Sequence, residues 1–215
     1  LKFIKNPDDA FYNFHLDNAD YTPINKESNL SLRTNFLTSF IPFTWGNLSL
    51  KYKAVSDRQF NQWVPQVDIV GSYGRIVALD IAAGVSDDED FSPPSMKDYS
   101  IGLLLSKPVS RLTRLYAGYN YSVITFDFNF PEPLEIGETV IDNLSISRRD
   151  HILITGIVNR IRDDKTMAAY VGYGFNYKKI FSRFSWHYDH LEMGFNIYPE
   201  GLLVVHPFLG WHWNF

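Results

Sequence analysis

The run Ser182-Arg-Phe-Ser-Trp-His-Tyr-Asp-His190, with Glu192 just beyond it, holds the densest set of residues suited to nucleophilic and acid–base chemistry. Ser185, His187 and Asp189 stand at alternate positions, so on an extended chain they share one face. A nucleophile–base–acid triad normally draws its members from separate elements, so that the serine oxygen reaches the base. Three members strung along one strand are too regular for that. The expectation is a polar, aromatic strand end with no catalytic residue.

Four histidines, His187, His190, His206 and His212, raise the question of a metal. His206 and His212 share a face but lie six residues apart, about 20 Å along a strand. They cannot ligate one ion together. His190 and Glu192 are closer neighbours on one face, and satisfied polar groups are expected there rather than a ligand set. The acidic run Asp87-Asp-Glu-Asp90 before Pro93-Pro94 lacks the spaced ligands and glycine of a calcium loop. The chain has no cysteine, which removes thiolate metal sites, a thiol nucleophile and disulfides. No metal and no cofactor are expected. Nucleic acid is not an expected partner, because 20 Lys and Arg face 24 Asp and Glu with no basic run.

The elements that carry these residues read as strands. From Leu30 onward apolar and polar residues alternate, and no window of eighteen apolar residues exists to form a membrane helix. Ten strands are expected, near 30–40, 47–54, 66–73, 77–85, 99–106, 114–128, 152–159, 167–177, 191–197 and 203–215. Eight or twelve also fit. Gly84, Gly102, Gly118, Gly172, Gly174, Gly194 and Gly210 fall on the more polar face, as a narrow lumen needs small side chains among large ones. The same face carries Arg33, Lys51, Lys53, Asp68, Asp80, His190, Glu192, His206 and His212. Basic groups on the first two strands would meet acids on the third and fourth. Desolvated charges must be paired, so a largely plugged lumen is expected, with a narrow polar pore as the alternative. Tyr198-Pro-Glu-Gly-Leu202 reads as a three-residue hairpin that sets Ile197 opposite Leu203 and Phe195 opposite Val205. Pro207, which has no ladder donor, belongs at a bulge or an unpaired position.

The last strand carries apolar residues at every second position: Leu203, Val205, Pro207, Leu209, Trp211, Trp213 and Phe215. This pattern resembles the C-terminal targeting strand of bacterial outer-membrane β-barrels, which ends in an aromatic residue. By motif the resemblance covers about the last dozen residues, through Leu209, Trp211, Trp213 and Phe215, and by alternation most of the chain. It implies an all-β, transmembrane, antiparallel up-and-down β-barrel over residues 29–215, preceded by a periplasmic tail or partial plug at 1–28. It also implies a Gram-negative outer membrane, contact with its lipid, and insertion by the barrel-assembly machinery. A start at Leu1 fits a chain whose export signal has been removed. A soluble sandwich or lipocalin-like barrel would alternate equally well, but with its apolar face inside.

The expected role is a structural or anchoring subunit of an envelope complex, contacting a protein partner through the tail and periplasmic loops. A small-solute pore and a lipid hydrolase using His187 are the alternatives. With Phe215 in the periplasm, the longer connections 56–65, 86–98, 129–139 and 178–184 also fall there. Most such barrels show the reverse. Either one strand is miscounted or the working surface faces the periplasm.

Overall fold

The computed structural model describes residues 21–23, 28–37, 45–55, 65–76, 94–136, 139–162, 165–197 and 205–214. Ten strands run β1 (Ser28–Leu37), β2 (Trp45–Val55), β3 (Gln66–Ile76), β4 (Ser95–Pro108), β5 (Thr113–Ile136), β6 (Thr139–Arg162), β7 (Lys165–Gly174), β8 (Lys179–His187), β9 (Leu191–Ile197) and β10 (Val205–Asn214). Each pairs antiparallel with its chain neighbours, and β1 closes on β10 from Ser31↔Asn214 to Leu37↔Leu209. Among the described residues there is no helix.

Alternation decides what each face meets. On β4, Ile101, Leu103 and Leu105 point outward and are about half exposed, whereas Leu104 and Ser106 are 1 % exposed. The outer wall carries such residues all round, from Leu50 on β2 to Ile180 on β8 and Trp213 on β10. Inside lie Ser31, Asn47, Lys51, Asp68, Asp98, Asn120, Arg183 and Glu192, all buried. A soluble barrel has the opposite polarity. An apolar wall of this extent needs a hydrocarbon solvent, and closure leaves no sheet edge to satisfy there. The fold is a transmembrane β-barrel.

The strand total equals the expected ten, but two strands differ. Residues 77–85 lie outside the described residues, and both edges of β3 are already taken, by β2 and by β4. No barrel strand fits between β3 and β4. Conversely, 179–187 is a full strand paired with β7 and β9, not part of a loop at 178–184. The β7–β8 turn escapes sequence reading because its left-handed position is Lys178, with φ of +53°, where glycine or asparagine would have signalled it.

These two changes reverse the topology between them. Connections 38–44, 77–94, 137–138, 175–178 and 198–204 join strand ends at the rim opposite the terminal rim, the one that holds the start of β1 and the end of β10. The terminal rim holds 56–65, 109–112, 163–164 and 188–190. The longest connection therefore lies opposite the terminal rim, and the apparent inversion disappears. The last hairpin also shifts: Ile197 pairs with Val205 and Phe195 with Pro207. The shift is by two residues, so every side chain keeps its face. Pro207 lies past the last described β1–β10 pair, where its missing N–H breaks no described ladder bond.

Strands β5 and β6 are 24 residues each, far longer than the others. β5 pairs with β4 only up to Asp127, and β6 pairs with β7 only from Ile152. Residues 128–148 therefore form a two-stranded hairpin standing off the rim opposite the terminal rim. Outward of the Phe128↔Leu144 pair β6 runs from Leu144 to Thr139 while β5 bulges between Asn129 and Leu134, so the paired part reaches about 20 Å.

The lumen is packed. Val70, Leu104, Tyr116, Ile152, Ile154, Tyr170 and Phe181 form one apolar cluster with Tyr21 of the preceding segment. Tyr170 meets both Tyr21 and Phe181 edge-on, with ring centroids 5.6 and 6.1 Å apart. Gly172 makes room for this slab: a Cβ added there would run into the Phe181 ring. Gly172→Val should therefore cost about 1–3 kcal/mol by overpacking. It should lower the temperature at which the folded form disappears in heat-modifiable gel migration, and adding Phe181→Leu should restore part of the loss. An unchanged temperature for the single variant would contradict the packed lumen.

Candidate functional site in the barrel lumen

The final three strands place a compact polar cluster inside the barrel. Residues alternate inward as Phe181, Arg183, Ser185 and His187 on β8, Glu192, Gly194 and Asn196 on β9, and Phe208, Gly210 and His212 on β10. The three-residue connection 188–190 sets the register, so His187 lies opposite Glu192. Glu192 in turn lies opposite Gly210, and His212 stands two residues on along the same face of β10.

Arg183 and Glu192 are both almost fully buried and form an ion pair, Nη2 donating to Oε1 at 2.8 Å. The guanidinium also reaches Asn196 Oδ1 at 3.4 Å and stacks 3.8 Å over the Phe208 ring. Its planar fork thus meets a carboxylate, an amide and an aromatic face together, which a lysine could not do. His212 Nε2 stands 3.1 Å from Glu192 Oε2, and His187 Nε2 stands 3.7 Å from Oε1. Ser185 Oγ lies 2.9 Å from His187 Nε2.

The serine and the carboxylate both approach His187 through the same nitrogen, whereas a triad uses one ring nitrogen for each. Ser185 is 2 % exposed and faces the packed lumen, out of reach of a lipid on the outer wall. Asp189 is exposed in the β8–β9 connection and joins no such set.

A second polar group lies on β2 and β3. Gln66 Nε2 donates to both Asp68 oxygens, at 2.8 and 2.9 Å, and Lys53 is the register partner of Asp68. Lys51, 3 % exposed, donates to the Thr22 carbonyl at 2.8 Å. Of the residues expected in the lumen, Lys51, Asp68, Glu192 and His212 are buried there, and Lys53 lies half-buried on the same face of β2. His190 is a correction: it is exposed in the 188–190 connection, its ring stacked on outward-facing Trp211 at 5.8 Å. It faces outward because the chain turns there and the alternation is interrupted. Asp80 lies outside the described residues, and so do the side chains of Arg33 and His206, although their backbones pair within β1 and β10. On the terminal strand Trp211 and Trp213 are exposed outward and Leu209 is half-buried, while Phe215 lies outside the described residues.

Sequence reading missed Arg183, Asp98 and Tyr21 as interior groups. Arg183 and Asp98 fall in stretches read as loops, yet alternation from Phe181 through Ser185 and from Met96 through Ser100 marks both as inward. Asp98 accepts from Ser122 Oγ at 3.0 Å.

No family model matches this chain, and no curated protein matches it. Among solved structures it is similar to a major outer membrane protein from Thermus thermophilus, with 13 % identity and a TM-score of 0.38 over 88 % of this chain and 100 % of that one. A likeness at that level carries no role across.

Breaking the buried pair from one side should be costly. Glu192→Leu leaves Arg183 charged and uncompensated, and should destabilise the barrel by about 3–5 kcal/mol. Arg183→Met combined with Glu192→Leu should recover most of that loss. Urea midpoints of the folded barrel in detergent report both, and a double variant no more stable than Glu192→Leu alone would contradict the pairing.

Proposed function

We propose that this chain is a structural or anchoring barrel of a bacterial outer membrane, with a lumen closed by side chains. The observation that carries the reading is the filled interior. Tyr21, Tyr116, Tyr170 and Phe181 form a slab across it, and Lys51 fastens Thr22 to the wall. Beside Tyr21, Lys51 and Asn120 a cavity of about 10 Å³ remains, room for a single water. A solute pore would need a continuous polar path. An outer-membrane address is supported by the lipid-facing wall, the even strand number and the alternation through Leu209, Trp211 and Trp213.

The partner surface in this reading is the hairpin at 128–148. With the rim that holds the start of β1 and the end of β10 on the periplasmic side, it stands outside the cell and presents Leu144 and Val140, 42 and 58 % exposed. Its long edges have no further strand among the described residues. Exposed edges and apolar side chains of this kind suit pairing with another protein. The segment before β1 enters the lumen at Tyr21 and Thr22, so that part of it braces the barrel.

In planar bilayers the purified protein should give no steady single-channel steps, and regular steps would sink the plugged-barrel reading. Deleting residues 130–143 should leave heat-modifiable migration unchanged and abolish envelope-protein cross-links from Leu144. Cross-links that survive the deletion from other positions would move the partner surface elsewhere.

A further inference from the structure

We propose that His187, Glu192 and His212 form a binding site for one divalent transition-metal ion of the zinc class, at the terminal end of the lumen. The three side chains come from β8, β9 and β10, and their ligand atoms all lie within 4.8 Å of one another. Ligands at zinc distances in a tetrahedron stand about 3.3 Å apart. His212 Nε2 stands 3.1 Å from Glu192 Oε2, close to that value, and with one ligand atom from each residue the whole set lies within 4.8 Å, so a small inward turn of the side chains closes it around an ion. Two imidazoles and one carboxylate form a donor set for zinc-class ions, and the fourth position is left to water.

A second observation points the same way. His212 is 9 % exposed, and its Nε2 has no hydrogen-bond partner although a carboxylate oxygen lies 3.1 Å away. The two atoms face each other at 3.1 Å without an aligned hydrogen bond, and a cation beside them would take the lone pairs of both. The surroundings are built for a ligand carboxylate. Arg183 donates to Glu192 Oε1, so it orients the carboxylate and leaves Oε2 turned toward His212. The stacking of Arg183 on Phe208 and its reach to Asn196 hold the guanidinium on the far side of Glu192. The site is accessible through His187, whose side chain is 21 % exposed beside the short 188–190 connection. An ion held there would cross-link three strands next to the β1–β10 seam.

The test is equilibrium dialysis of the full chain, folded in detergent and stripped with chelator, against zinc chloride. One ion per chain should bind. His187→Ala and His212→Gln should each weaken binding by about tenfold or more, while His190→Ala, which removes the exposed neighbouring histidine, should leave it unchanged. Heat-modifiable migration confirms that each variant is folded. If His212→Gln does not fold, the partly exposed His187 decides the outcome. No saturable one-to-one uptake by the wild type would overturn the proposal, as would uptake that survives His187→Ala or falls equally in His190→Ala.

Discussion

The pairing of β1 with β10 is the contact on which everything else in this molecule rests. In hydrocarbon an unpaired backbone N–H or C=O has no water to turn to, and each costs several kcal/mol. The ladder from Ser31↔Asn214 to Leu37↔Leu209 removes the two edges that ten strands would otherwise expose. Once the sheet is closed, the period of two has fixed meaning: one set of side chains meets lipid and the other meets the lumen. That explains why Ile101 and Leu103 can be about half exposed while Asp68 and Asp98 are fully buried.

Closure at ten strands also sets the interior width, and the chain fills it in two ways. Rings fill the slab around Tyr116, Tyr170 and Phe181, with Gly172 opposite Phe181 giving the space. Charged groups fill the rest with partners in place, Arg183 in an ion pair with Glu192 and Lys51 hydrogen-bonded to the Thr22 carbonyl, because a buried ion without compensation would outweigh the gain from packing. In the proposed reading, a lumen built this way is a brace rather than a channel. What projects from the barrel, the hairpin at 128–148, lies at the rim opposite the start of β1 and the end of β10.

Most of the fold was legible in the sequence, because alternation is a local property. The faces of Leu48 to Tyr52, Tyr99 to Leu105 and Leu191 to Ile197 follow from it directly. The register error at the last hairpin left the faces intact, since it was even. Strand identity was less legible. Val77 to Val85 alternates as well as any barrel strand, yet β3 and β4 pair directly across it. Lys178 and Lys179 look like a loop, but they turn and start β8. The polar cluster was not legible as a unit. His187, Glu192 and His212 converge only through the pairing of three strands, and that depends on turn lengths no single segment reveals. The one-strand set Ser185, His187 and Asp189 was the local reading of the same residues, and the turn at 188–190 takes Asp189 out of it.

The central claim is that alternate residues face lipid and a packed lumen. The absence of native cysteine allows it to be tested residue by residue. Single cysteines at positions 99 to 106 on β4, spin-labelled in lipid vesicles, report collisions with dissolved oxygen and with a water-soluble nickel complex. The predicted result is a period of two, with oxygen collisions highest at 99, 101, 103 and 105 and low collisions with both probes at 100, 102, 104 and 106. High nickel collisions at 101 and 103, or no alternation along the strand, would contradict the account.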